Sequence, residues 1–127
     1  MADPAEPRSP LRGEREPPVA SIEQDEGAVI VALAGELDLH NAGDVRTTLL
    51  ACCDEQPERL IVDLGRVSFI DSTALGVLIE ARSRLSDRRA FMLASPQLAT
   101  RRALEVSGLD RHFDVYASRD DALAVPL

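Results

Sequence analysis

The sequence predicts an α/β fold, one layer of strands with at least one parallel pair, covered by helices. Two near-continuous apolar runs, AVIVALAG (28–35) and RLIVDLG (59–65), read as strands buried on both faces. Segments of helical period alternate with them, and parallel strands need crossovers of that kind. At 127 residues the chain accommodates one domain, which buries roughly two-thirds of its unfolded surface. Such a core needs neither disulfide nor metal.

Taken in order, residues 1–18 (MADPAEPRSPLRGEREPP) hold five of the eight prolines, no aromatic residue and closely mixed charge. They predict a disordered tail, with a docking peptide as its functional alternative, and the folded domain is expected over 19–127. VASIEQ, the turn DEG and the run from Ala28 predict a hairpin feeding a central strand. In NAGDVRTTLLACC, Val45, Leu49, Cys52 and Cys53 fall at helical spacing with Asn41 as cap, and the helix ends before Pro57. After the strand at 59–65 comes VSFIDSTALGVLIEARSRL (67–85), which opens a helix at Asp71 to Thr73. Its apolar positions are Leu75, Leu78, Ile79 and Leu85, and Arg82 and Arg84 lie near the end that favours cations. RAFMLAS is a further strand. Ser95 and Pro96 supply a cap and a first-turn proline for a helix from Gln97 that stops at Gly108. HFDVYA reads as a short last strand, and Ser118 and Asp121 have capping-box spacing ahead of ALAVPL.

Composition removes several function classes. Net charge is −8 and all 14 basic residues are arginine. A chain without lysine has no Schiff-base or P-loop lysine. An acidic surface argues against nucleic-acid binding, and the doublets Arg88-Arg89 and Arg101-Arg102 read as solvated faces. Cys52 and Cys53 are neighbours whose side chains diverge on a helix, so they read as core thiols rather than a bridge. With His40 and His112 the only imidazoles, a zinc site has little to build on. No apolar run approaches 18 residues and no signal-peptide pattern opens the chain, so a cytoplasmic protein without membrane insertion is expected.

The informative stretch is IDSTALG, where three small polar residues interrupt an apolar run. Asp, Ser and Thr are preferred at helix starts, where they satisfy orphan N–H groups. One would suffice for a cap. Three leave a hydroxyl facing solvent where backbone N–H groups converge, a setting that accommodates an anion. A nucleophilic Ser72 would need a base and an oxyanion hole. The strand-to-helix setting is that of a nucleophile elbow, but Ile70 and Ala74 stand where that motif has glycine, and His40 reads as a solvated loop residue.

AGELDLHNAGDVRTTL, LIVDLGRVSFIDSTALGVL and EVSGLDRHFDVYAS, in this order and spacing, resemble the sulphate-transporter and anti-sigma-factor-antagonist (STAS) family, specifically its bacterial anti-sigma factor antagonists. The similarity spans about 19–125. It implies a mixed sheet of about four to five strands with helices packed mainly on one face. It also implies that Ser72, directly after the aspartate, is phosphorylated by an anti-sigma factor that is itself a serine kinase, and that docking of the unphosphorylated form frees a sigma factor. Asp71 and Thr73 match the flanking positions, Asp38 matches the acidic residue of the neighbouring loop, and Ala74 and Leu75 complete the expected partner contact. Ala74 stands where the antagonists most often have glycine, and Gly43 where relatives often have proline. No catalytic residue, cofactor or metal is expected, and a phosphatase is a further implied partner. The rival expectation is a non-switching STAS module, a scaffold or regulatory subunit of a signalling complex or membrane transporter that uses the same helix face as a permanent contact.

Overall fold

The computed structural model describes residues 16–127. It contains β1 (Val19–Asp25), β2 (Ala28–Leu37), α1 (Ala42–Asp54), β3 (Arg59–Ile70), α2 (Ser72–Arg84), β4 (Phe91–Ala94), α3 (Leu98–Ser107), β5 (Asp114–Tyr116) and α4 (Arg119–Ala124), with short 3-10 turns before β4 and β5. The strands form one mixed sheet in the order β1-β2-β3-β4-β5. The β1–β2 pair is antiparallel and the other three pairs are parallel. The expected α/β class, strand number and mixed sheet are all present.

Each element follows from its residues. Glu26 and Gly27 both have positive φ, 49° and 90°, the backbone a tight hairpin turn demands. Every later strand is added on the same side of the sheet, so right-handed crossovers place α1, α2 and α3 on one face. There Val31, Leu33, Val62 and Leu93 meet Leu49, Leu78 and Leu104 in the main core. The other face carries a smaller cluster, Ile30, Ile61, Met92 and Ala94, covered by Ala122 of α4. Arg119 fastens α4 to the sheet through Asp63 and Glu23, and Arg59 donates to the Ala122 carbonyl at 3.0 Å. Gly108, at φ 78°, ends α3 in the left-handed conformation that glycine adopts without a Cβ penalty.

Several local expectations are corrected. Strand β2 is central as expected, between β1 and β3, but two other boundaries move. Strand β3 continues five residues past Gly65, because RVSFI pairs with the end of β2 through two register shifts. Ser95 does not cap α3. It adopts φ 60° and donates its N–H to the Tyr116 carbonyl at 2.9 Å, while Gln97 precedes the helix and its amide donates to the Gly65 carbonyl. Asn41 flanks α1 without capping it through its side chain. Cys53 is buried as expected, but Cys52 is only partly covered. Ile79, assigned to the core stripe of α2, faces solvent at 45% exposure. The expected tail over 1–15 lies outside the described residues. Of its last residues, Glu16 pairs with Arg66 and the Pro18 carbonyl accepts from Ala34 N–H, so 16–18 are held on the sheet.

Candidate functional site

The site is built where β2 and β3 outrun β4. Leu37 and Ile70 are register partners at the ends of their strands, so the next residues, Asp38 and Asp71, leave the sheet side by side. Asp71 N–H donates to the Leu37 carbonyl at 3.0 Å and locks the two exits together. The chain after β2 turns into α1, and the chain after β3 turns at once into α2.

Asp71 caps α2. One carboxylate oxygen, Oδ1, accepts from Ala74 N–H at 3.0 Å, as an N-cap should. The other, Oδ2, accepts from Leu39 N–H at 3.1 Å, across the gap to the β2–α1 loop. A single side chain thereby fixes the helix start against the neighbouring loop. That loop is tied within itself as well. Asp38 N–H donates to Asn41 Oδ1 at 2.9 Å, His40 N–H donates to Asp38 Oδ1 at 3.0 Å, and Asn41 Nδ2 donates to the Glu36 carbonyl at 2.8 Å. Asn41 is therefore a loop brace, which is why its side chain is not available as a cap.

Ser72 and Thr73 follow Asp71 on the first turn, and both are exposed. Among the described residues no side chain hydrogen-bonds the Ser72 hydroxyl, and the N–H groups of Ser72 and Thr73 have no protein acceptor. A hydroxyl in this position is reachable, and the adjoining N–H groups and helix dipole favour an added anion. Asp38 and Asp71, both partly covered, supply the acidic flank. Ser72 and Thr73 thus follow Asp71 on the first turn of α2, and Asp38 leaves the neighbouring strand end next to Asp71. Ala74 and Leu75 do not join them. At 2% and 7% exposure their side chains belong to the core, because they fall on the helix face turned toward the sheet.

The solvent face of α2 instead carries Ser72, Gly76, Ile79 and Ser83, which recur at successive turns. Leu39, beside Asp71, is 69% exposed, and Phe69 at the strand exit is exposed too. Sequence reasoning missed Leu39, Gly76 and Ile79. Apolar residues near a helix start read as core unless the face they occupy is known, and the only signal was a single residue of phase in the α2 pattern. Away from Ser72, Arg46 of α1 grips Glu80 of α2 with two bonds of 2.7 Å, which holds the Glu80 carboxyl below the usual carboxylate range.

The described residues contain no cluster of three His, Cys, Asp or Glu side chains able to hold a metal. No helix among them is long and apolar enough to cross a membrane.

Comparison with known proteins gives a consistent result. The STAS domain family model matches residues 20–122. An anti-sigma F factor antagonist of Paenibacillus polymyxa is 31% identical over 105 residues, 80% of this chain and 89% of that protein. The anti-sigma-F factor antagonist RsfB of Mycobacterium tuberculosis is 25% identical over 103 residues, 81% of this chain and 84% of its own. Among solved structures, an anti-sigma factor antagonist from Mycobacterium paratuberculosis superposes with a TM-score of 0.76 at 31% identity, covering 81% of this chain and 88% of that one. With a family match over most of its length, and a sheet and helix order shared with solved members, this chain belongs to the STAS domain family.

Proposed function

We propose that this protein is an anti-sigma factor antagonist whose binding is switched at Ser72. The unphosphorylated protein docks on an anti-sigma factor and releases a sigma factor. Phosphorylation of Ser72 by that partner, acting as a serine kinase, ends the complex, and a phosphatase restores it. The protein acts by binding and not as an enzyme, in the bacterial cytoplasm where its partners work.

The carrying observation is the exposed Ser72 hydroxyl on the first turn of α2, flanked by the partly covered carboxylates of Asp71 and Asp38. A phosphoserine brings a charge of about −1.5 to −2. In the free protein the helix N-terminus offsets this by about 0.3–1 kcal/mol, so the fold survives. Under a partner the same group is desolvated beside two carboxylates, which costs several kcal/mol. A loss of about 3 kcal/mol weakens binding roughly a hundredfold. Repulsion at the contact therefore outweighs the gain at the helix.

The test is incubation with the cognate anti-sigma kinase and ATP, read by intact mass. The wild-type protein gains one phosphate, and Ser72→Ala gains none. Equal uptake by both, or none by the wild type, refutes the acceptor assignment; the second result is that of a permanent scaffold.

A further inference from the structure

Strand β1 lies at one edge of the sheet with β2 as its neighbour, so among the described residues one side of its backbone pairs with no strand. Proteins blunt such edges with lysine, proline, inward charge or a covering element. The seven residues of β1, VASIEQD, contain neither lysine nor proline. The charge nearest the middle, Glu23, is taken up by Arg119 of α4 at 3.1 Å. At the midpoint stands Ile22, 51% exposed.

The hairpin decides which backbone groups face outward. Asp25 and Ala28 are register partners on either side of the two-residue turn, where such a turn closes with a hydrogen-bonded pair. Bonded pairs then alternate, at Glu23–Ile30 and Ser21–Ala32, which leaves the N–H and C=O of Ile22 and Gln24 directed away from β2. The Ile22 side chain, opposite Val31 of the main core, lies on the α1 face of the sheet. With Val29, Ala51 and Cys52 it lines a groove of about 660 Å³ between β1 and the end of α1.

We infer that β1 is a self-association edge: a second copy of this chain adds its own β1 antiparallel, Ile22 opposite Ile22, and joins the two five-stranded sheets edge to edge. The contact is isologous, with its two-fold axis at Ile22. In this register the outward N–H and C=O of one Ile22 meet those of the other. Gln24 falls opposite Ala20 and Glu23 opposite Ser21, so no like charges are directly opposed. Charge selects it over the neighbouring register, because an axis at Gln24 would set Glu23 against Asp25 and Ile22 against Glu26. The two Ile22 side chains meet across the axis on the α1 face and cover the outer side of both grooves. Ser72 opens the helix after β3, on the other side of β2 from this edge, so the inference does not depend on the switch.

Two short strands bury less than the roughly 1,200 Å² of a stable interface, so the association is weak and reversible. The experiment is sedimentation velocity of the full chain from about 10 μM to about 1 mM, the range in which small interfaces assemble, with the melting temperature of each variant. The wild type is expected to pass from monomer to dimer across that range. Ile22→Lys sets two like charges on the axis and is expected to weaken dimerisation by about tenfold or more. Val106→Lys, at a position 89% exposed on α3, is the distant control and should change it less than about twofold. Ser21→Arg faces Glu23 of the other copy and should tighten the dimer by about twofold or more, and Ser21→Glu should weaken it by as much, because each acts at two symmetric pairs. A wild type that stays monomeric throughout, a dimer that Ile22→Lys leaves within twofold, or Ser21 variants that shift it in the same direction refutes the edge. If Ile22→Lys fails to fold, the two Ser21 variants decide alone.

Discussion

Replacing Asp71 by alanine tests whether one carboxylate holds both the α2 start and the β2–α1 loop. The substitution removes the cap bond to Ala74 N–H and the cross-loop bond to Leu39 N–H. Loss of an N-cap costs about 1 kcal/mol. The second bond also has a charged acceptor, but Leu39 is largely exposed and water replaces part of the interaction, so about 1 kcal/mol is a fair figure there too. The sum, about 2 kcal/mol, corresponds to a fall in Tm of roughly 8 °C for a domain of this size. Asp71→Asn separates the two bonds. Its amide oxygen retains the cap, while its amide nitrogen presents a donor to the Leu39 donor, so it should lose about half as much. Thermal unfolding followed by circular dichroism reads all three proteins. An alanine variant melting within about 2 °C of wild type, or an asparagine variant as unstable as the alanine one, contradicts the double role.

Three further outcomes follow from groups away from Ser72. The Thr100 hydroxyl is fully buried without a hydrogen-bond partner, so Thr100→Val should raise stability by about 1 kcal/mol, read as the urea midpoint; a lower midpoint would mean that the hydroxyl is satisfied in solution. Arg119→Met should destabilise by about 2 kcal/mol in the same assay, because Asp63 keeps only its bond from Gly65 N–H and its charge goes uncompensated; an unchanged midpoint would show that α4 does not depend on this pair. Burial pushes the Cys53 thiol up to about 11 while its unfolded counterpart ionises near 9. Its contribution to stability is therefore complete below pH 9 and is lost as pH rises toward 11. At pH 8, alkylation should modify Cys52 well before Cys53, and labelling of both at one rate in the native protein would contradict that burial.

The parts of the fold that were legible in sequence are those where one local cause acts alone. Asp71, Ser72 and Thr73 announce a helix start through cap chemistry, and the structure begins α2 at Ser72. Ser118 caps α4 with its hydroxyl accepting from Asp121 N–H, as the spacing predicted. Legibility failed where a tertiary partner chose between local options. The segment RVSFI alternates imperfectly because a register shift against β2 between Val67 and Phe69 leaves Ser68 and Phe69 both exposed, so the strand was expected to end at Gly65. Asn41 has the chemistry of a cap but spends it on Asp38 and Glu36. Ile79 fits a helical stripe equally well on either side of its edge, and only the sheet beneath α2 decides that Leu78 is covered and Ile79 is not. The polar helix start at Asp71 to Thr73 was readable from the chain, whereas the exposure of Ile79 required the helix phase.

The most direct test is the affinity of one anti-sigma factor for the protein before and after stoichiometric phosphorylation at Ser72, measured by calorimetry alongside the melting temperature of each form. Addition of the phosphate should weaken binding by roughly a hundredfold while the fold melts at or slightly above its original temperature. Equal affinity of the two forms, or a lost affinity accompanied by unfolding, would contradict a charge placed at an exposed helix start and read by a covering partner.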